Sequence, residues 1–430
     1  MGKLIEVASE LETLHRAWRL VRGQVRRTAW PQLASELGRL ESDPLRHLRE
    51  IQRKLRNETY AFTPKWGYTK RKSGGSRRGI TVHCVQDRIV QRAILCVLHS
   101  SEERLRREQG RLPEVLNCPT SFAGNPKRGV PEAIGMIVEQ LQRGRTFVAL
   151  SDVKDFFPLI PRERVTAFVA ENIRDAAFCR LFATALETEL ANHADLERWL
   201  SLFPLDTVGV AQGSMLSVLA GNIALRDFDV ELNANGLTTV RYLDDFAIFA
   251  PDRGTAETGF ALARRLLAEL GMTCYAPRDG SQKGVLTSVT EGFDFLGCRV
   301  HPSGISPSRR ARQQLLDGIA SLLRDGRERL KTMAQSGNRR RAEAGYAQIL
   351  TQIDRKVRGW GDAFRFITNR VAFAQLDREI DRQLAEFRGW YARLYRLADV
   401  KSRRRLDGIS LLSETPPNDF GEPDHPVGSE

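Results

Sequence analysis

The sequence predicts an α+β fold followed by a basic helical lobe, and three observations carry that expectation. Between Thr146 and Val300, short β-rich runs (FVALSDV, TTVRYLDDFAIFA and GFDFLGCRV) alternate with helical stretches, the pattern of an α+β domain. Beyond about residue 305 the β-rich runs stop and Arg-rich amphipathic helices take over. The chain is 430 residues long, 41% apolar and 28% charged, which suits two or three lobes with real cores. No run approaches the roughly 18 apolar residues of a membrane span, and no signal peptide opens the chain. The expected compartment is the cytoplasm.

Residues 1–58 read as a helical extension of two or three amphipathic helices, with Leu11, Leu14 and Trp18 on one face and Leu45, Leu48 and Ile51 on another. Lys65 to Ile80 follows as a basic hairpin whose turn is Gly74-Gly75. Residues 87–106 are apolar at helical spacing. Residues 59–300 are expected to form one α+β region. In the lobe over 301–400, Ile353, Val357, Trp360 and Phe364 share one helical face, and Leu376, Ile380, Leu384, Phe387 and Tyr391 share another. The last stretch, 401–430, has the Pro/Gly/acid composition of a disordered end from about Ser413. No internal repeat is present.

The formal net charge is +13. The residues from Leu412 onward hold five acids and no Lys or Arg, so the body is more basic still. Residues 301–400 alone carry 20 Lys/Arg against 11 Asp/Glu, an electrostatic footprint suited to a polyanion. The six cysteines are scattered without a C-x-x-C pair, which argues against zinc sites and a disulfide scaffold. They are expected to be buried free thiols.

Tyr242-Leu243-Asp244-Asp245 lies between two β-rich arms, as a strand–turn–strand hairpin presenting two carboxylates at its tip. Buried acids in a turn are costly without a neutralising cation, and hard divalent ions suit carboxylate oxygens. Asp152 ends the run Val148-Ala149-Leu150-Ser151, where it can meet that tip from a neighbouring strand. Two metals ~4 Å apart held by such a cluster activate a hydroxyl and stabilise a leaving pyrophosphate. Taken singly, a Y-x-D-D tetrad or an Asp-Asp turn is weak evidence.

The set of motifs, in this order, resembles the prokaryotic reverse transcriptases related to group II intron, retron and defence-associated enzymes. The likeness is strong over roughly residues 60–300 and weaker beyond. DVKDFFPLI (152–160) is similar to the first catalytic motif, with Phe157 in place of the aromatic gate against a 2′-hydroxyl. GVAQGSMLSVLAGNIAL (209–225) is similar to the second, with Gln212 under the incoming nucleotide; it departs in having Ser217-Val218 where the family has Ser-Pro. The metal set this resemblance implies is Asp152, Val153, Asp244 and Asp245, holding two Mg²⁺ with Mn²⁺ as a possible substitute. Asp152 and Asp244 rank first as direct ligands, with Asp245 behind them. Lys283 takes the place of the lysine assisting pyrophosphate departure. KRKSGGSRRGI resembles the fingers motif on the triphosphate, where either Arg77 or Arg78 supplies the guanidinium and Lys72 a second contact. Lys127 and Arg128 fall in a template-strand motif. Phe295, Leu296 and Gly297 form the core of a primer-grip-like hairpin. The G-W helix, with Arg355, Lys356 and Arg358, resembles a maturase or thumb helix.

The fold implied is a right-hand polymerase with fingers, palm and helical thumb. The activity implied is RNA-directed DNA synthesis from dNTPs, with a template RNA and a cDNA product, no membrane, and no protein partner specified. No Cys/His nuclease module, RNase H or protease region is seen, and the first 60 residues lack a Gly-Asp-Gly segment. The expected role is therefore copying a dedicated, structured noncoding RNA in antiphage defence. The alternatives are an intron-type reverse transcriptase and maturase without its endonuclease, or a catalytically idle RNA-binding splicing cofactor.

Overall fold

The computed structural model describes residues 2–26, 30–71, 75–234, 236–278, 283–335, 345–407, 409 and 411–414. Their contacts group into two compact units, Met1–Glu291 and Gly292–Glu430. The α+β expectation holds: helices pack around antiparallel sheets.

The first unit opens with four helices, Lys3–Ala8, Leu11–Val25, Pro31–Ser42 and Pro44–Arg56, rather than two or three. Pro31 and Pro44 each stand at a first helical position, where a missing N–H costs nothing and the fixed φ favours a new helix. Asp43 caps the fourth helix by accepting the Arg46 amide. The hairpin comes next, as β1 (Trp66–Arg71) and β2 (Arg77–Val82). Gly75 at its tip has φ +85°, whereas Gly74 lies outside the described residues. The helical run expected over 87–106 splits into Val85–Leu98 and Glu103–Arg106.

Four strands form the central sheet. They are β3 (Phe147–Asp152), β4 (Thr238–Tyr242), β5 (Asp245–Ala250) and β6 (Val285–Ser288), in the order β4-β5-β3-β6 and all antiparallel. Val148, Ala149, Phe246, Ala247, Ile248 and Phe249 are all inaccessible to water. Such strands are apolar at consecutive positions because both faces are covered. Phe246 stacks on Phe260 of the helix Arg253–Glu269 and meets Phe228 of the helix Arg226–Ala234 edge-on.

A segment that the sequence did not single out, 187–203, closes over the basic hairpin. The Lys65 amide donates to the Glu189 carbonyl, and Asn192 bonds both backbone groups of Gly67. Leu190, Leu196 and Phe203 form a small core of their own against the hairpin. Lys65 is buried with its ammonium on the Glu187 carbonyl, and burial drops its pKa to about 8.

The second unit begins with a small sheet, β7 (Phe293–Phe295), β8 (Cys298–His301) and β9 (Gly304–Pro307). Long helices follow: Arg309–Gln335, Tyr346–Ala363 and Val371–Leu397, with a short Val400–Leu406. Leu315, Ile319, Ile349, Ile353, Leu376, Ile380 and Phe387 make their core. Phe364 falls one residue past its helix but still packs on Trp360, 4.5 Å between centroids. Only Cys274 and Cys298 are fully buried; the other four thiols are half-buried, and all six are free. No helix among the described residues is long and apolar enough to cross a membrane.

The fit of the 187–203 segment depends on two small residues of the hairpin, Gly67 and Gly79. A Cβ at Gly79 would stand 2.6 Å from the Leu202 carbonyl oxygen and 2.9 Å from the Phe203 ring. Gly79→Val is expected to cost about 1–3 kcal/mol through this overpacking. The check is a lowered urea midpoint, with proteolytic cutting appearing first within residues 187–203.

Candidate active site

The register of the central sheet builds the acidic centre. Asp152, the last residue of β3, pairs directly with Asp245, the first residue of β5, and Asp245 pairs on its other side with Tyr242 of β4. Leu243 and Asp244 make the two-residue turn between β4 and β5. Leu243 takes φ +58°, the left-handed conformation that costs a side-chain-bearing residue roughly 1–2 kcal/mol. The Asp244 carbonyl is fixed from the β3 side, where it accepts the Val153 amide at 3.0 Å. Asp152, Val153, Asp244 and Asp245, far apart in sequence, thus meet at one end of the sheet. The buried Val153 joins that knot through its amide.

Like charges placed opposite each other repel, and the carboxyls show it. Burial and the charge of Asp152 raise the Asp244 pKa. Burial and the charges of Asp244 and Asp152 push Asp245 up to about 7, although the residue keeps an outer face open to solvent. Lys283 answers this charge directly: its Nζ lies 3.1 Å from Asp152 Oδ2 and 3.2 Å from the Tyr275 hydroxyl, over whose ring it also sits. The other oxygen, Asp152 Oδ1, is buried without a hydrogen-bond partner.

No three carboxylate, histidine or cysteine side chains among the described residues stand close enough together to cage an ion as they are. The donor set nonetheless fits a divalent cation. It is all oxygen, as hard ions require. It gathers mutually repelling carboxyls, and the orphaned Asp152 Oδ1 lacks the partner that buried polar atoms normally have. A closed cage is not expected from protein alone where substrate phosphates complete the shell.

Around this centre the other residues fall into place unevenly. The short helix Phe156–Leu159 places Phe157 half-buried against Phe156, centroids 5.4 Å apart. The Phe157 carbonyl accepts the Val210 amide at 2.9 Å, which ties the first motif to the loop carrying Gln212. That loop is docked on the hairpin, since the Gln212 carbonyl accepts the Thr81 amide at 2.8 Å. Gly213 has φ +121°, and a Cβ there would lie 2.3 Å from the Thr81 carbonyl oxygen. Ser217-Val218 lies inside the helix Met215–Ala224, with the Ser217 hydroxyl donating to the Ala211 carbonyl.

The hairpin separates its two arginines. Cross-strand pairs share a face, so Arg77 goes with Thr69, Arg71 and Gly79, and Arg78 with Lys70 and Ile80. Arg77 is engaged: Nη1 donates to Thr69 Oγ1 and the guanidinium lies 5.0 Å from the Trp199 ring centroid. Arg78 is on the opposite face, with its Nε buried and without a partner. The Ile80 side chain of that face flanks Gly213. Lys72 lies outside the described residues.

Lys127 and Arg128 are likewise divided. Lys127 is exposed, whereas Arg128 Nη1 donates to the Cys118 carbonyl at 2.6 Å. In the second unit Phe295 is buried, and Leu296 and Gly297 form the left-handed turn of the β7–β8 hairpin, φ +49° and +78°. Arg355, Lys356 and Arg358 are exposed on the helix Tyr346–Ala363. Arg358 pairs with Asp354, and the Lys356 stem lies along Gly318.

Sequence reasoning missed Arg241, which is buried beneath the acidic turn and pairs with the equally buried Asp229. Removing one partner from such a buried pair costs about 3–5 kcal/mol. The only signal in the sequence was its place beside Tyr242 in the β-rich arm of the acidic turn, where a buried arginine must be paired.

A family profile described as "Reverse transcriptase (RNA-dependent DNA polymerase)" matches residues 70–300, more than half of the chain. Over 180 residues the chain is 27% identical to an uncharacterized 91 kDa protein in the cob intron of Schizosaccharomyces pombe, covering 42% of this chain and 20% of that protein. Over 172 residues it is 30% identical to the protein YkfC of Escherichia coli K12, covering 39% and 40%. The matched stretches thus span less than half of either relative. Among solved structures, a partial Cas6-RT-Cas1–Cas2 complex overlaps 63% of this chain and 42% of its own at 18% identity and TM-score 0.32. Apo telomerase from Candida tropicalis, truncated from its C-terminal domain, overlaps 57% and 55% at 12% identity and TM-score 0.38.

The raised Asp245 pKa sets a pH signature for the metal-free protein. The folded carboxyl holds its proton up to about pH 7, whereas the unfolded one releases it near 4. The wild type should therefore lose stability as pH rises through that window. Asp245→Asn should match it near pH 4 and exceed it increasingly up to pH 7, then by a constant margin. Urea unfolding in chelator across this range reads the difference.

Proposed function

The chain belongs to the reverse transcriptase (RNA-dependent DNA polymerase) family, and on that footing we propose that it synthesises DNA on an RNA template. The observation that carries the proposal is the β3–β5 register, which sets Asp152 against Asp245 with Asp244 in the adjoining turn. In the reaction a primer 3′-hydroxyl attacks the α-phosphorus of a dNTP. A phosphodiester forms, the α–β bond breaks, and pyrophosphate leaves while the hydroxyl proton passes to solvent. The family generally uses divalent metal ions; in our reading two Mg²⁺, replaceable by Mn²⁺, would be held by Asp152, Asp244 and Asp245 with Val153 alongside. When bound they supply activation of the hydroxyl and neutralisation of the phosphates.

The protein's own groups then position and neutralise. Lys283, already drawn to the acidic centre, meets the leaving pyrophosphate. Gln212-Gly213 forms the floor under the nucleotide, and Phe157 closes the side where a 2′-hydroxyl would stand. Of the two hairpin arginines we assign the triphosphate contact to Arg78, with Lys70 opposite it. Arg77 is committed to Thr69 and Trp199, while Arg78 has donor capacity to spare on the face that flanks Gly213. Lys127 and the basic helices of the second unit supply backbone contacts to template and product.

For the biological setting, we propose a dedicated structured noncoding RNA as template and a role in antiphage defence, supported by the resemblance of the motif set to stand-alone defence enzymes. The relative within a cob intron favours the second reading, an intron-type enzyme and maturase. Sequencing the nucleic acid that copurifies with the protein separates them: one recurrent noncoding RNA and its cDNA against intron RNA. A plaque assay on a deletion strain gives the matching phenotype.

Asp244→Ala should abolish dNTP incorporation on primed RNA while leaving RNA binding near wild type; surviving incorporation removes the metal assignment. Arg78→Ala should raise the dNTP KM on the order of tenfold or more, the loss of a charged hydrogen bond, and Arg77→Ala much less. Phe157→Ala should incorporate ribonucleotides more readily, seen as products cleavable by alkali.

A further inference from the structure

Among the described residues Arg241 is one of the largest fully buried side chains, 1% exposed. Its forked pair with Asp229, at 2.7 and 2.5 Å, is enough to bury its charge. Yet the guanidinium makes three further bonds. Nη2 donates to Ser121 Oγ at 2.8 Å, and Nη1 donates both to Asn222 Oδ1 at 3.1 Å and to the Leu243 carbonyl at 3.0 Å.

These bonds differ in kind. Asp229, Asn222 and Ser121 are buried side chains on three separate elements, and they hold the guanidinium plane from three directions. Leu243 offers a backbone carbonyl in the turn that carries Asp244 and Asp245, and it is the turn residue in the strained left-handed conformation. The planar fork is therefore anchored on one side and grips the acidic turn on the other. A compact ammonium has neither the reach nor the planar spread to satisfy all four partners. The backbone of Arg241 is fixed independently, its amide donating to the Thr120 carbonyl and its carbonyl accepting the Phe122 amide. Losing the guanidinium leaves β4 tied in place but removes the hold on the Leu243 carbonyl, so that the turn keeps only the Val153–Asp244 bond and the strand pairing.

We propose that Arg241 is a positioning residue that holds Asp244 and Asp245 in metal-binding geometry through the Leu243 carbonyl. The inference rests on the polymerase reading for its purpose, but on the bonds alone for its mechanism. Groups outside the ligand shell typically change metal affinity by about 10–100-fold when removed, and Arg241→Lys is expected to fall in that range.

The test uses the full-length protein and Mn²⁺ as the probe, its binding followed by electron paramagnetic resonance without substrate. Arg241→Lys should weaken Mn²⁺ binding and shift the Mg²⁺ concentration for half-maximal primer extension by a similar factor. The dNTP KM at saturating metal should move little. Adding Leu243→Gly should restore part of the lost Mn²⁺ affinity, because glycine takes a positive φ without a Cβ penalty; a merely loosened core would gain nothing from a glycine in the turn. Unchanged Mn²⁺ binding in a folded Arg241→Lys protein, or a double variant no better than the single, overturns the proposal. If Arg241→Lys does not fold, Ser121→Ala, which removes one anchor and keeps the ion pair, should show a smaller weakening at a native melting temperature; no weakening there overturns it too. A wild type that binds Mn²⁺ but never extends a primed RNA defeats the polymerase reading instead, and leaves the Arg241 comparison readable.

Discussion

Everything at the acidic centre depends on one strand register, the pairing of Asp152 on β3 with Asp245 on β5. Left alone, two such carboxylates would drive the strands apart or let them slip. A slip by one residue would turn every side chain of β3 to the opposite face of the sheet. What prevents it is the stretch behind the acids: Val148, Ala149, Ala247, Ile248 and Phe249 are sealed from water, and Phe246 is clamped between aromatic rings of two helices. The apolar interior thus does electrostatic work, holding together charges that would otherwise separate.

The cations near the centre are placed to match. Lys283 reaches the acids from outside, at a partly exposed position. Arg241 approaches from beneath, locked in a network it cannot leave. The two hairpin arginines show the same contrast. Arg77 is held by an aromatic ring and a hydroxyl, while Arg78 is left with an unanswered N–H. Neighbours in sequence and identical in type, they differ in engagement because Trp199 of the 187–203 segment lies against Arg77 and on the face away from Arg78.

Much of this was legible in the sequence. The strands β3, β4 and β5 announced themselves as apolar runs, and the acidic turn by its place between two of them. Period and turn chemistry are local, so local reading finds them. The break at residues 99–102 and the four-fold division of the N-terminal helices were less visible, because capping and tertiary contact decide where a helix stops. Arg241 was invisible for a different reason. Its partners Ser121, Asn222 and Asp229 lie up to 120 residues away, and nothing but the folded chain shows that they converge. The different surroundings of Arg77 and Arg78 were hidden for the same reason, since Trp199 belongs to a segment with no recognisable motif.

The contact between Gly213 and Thr81 has a mechanical consequence. The Thr81 amide is bonded to the Gln212 carbonyl, and its own carbonyl sits where a methyl on residue 213 would be. The loop and the hairpin are thereby latched backbone to backbone, and the Thr81 hydroxyl, 3.4 Å from the same Gln212 carbonyl, adds to the hold. Were the hairpin to shift, the loop at Gln212 would have to shift with it, so the two segments form a single lever.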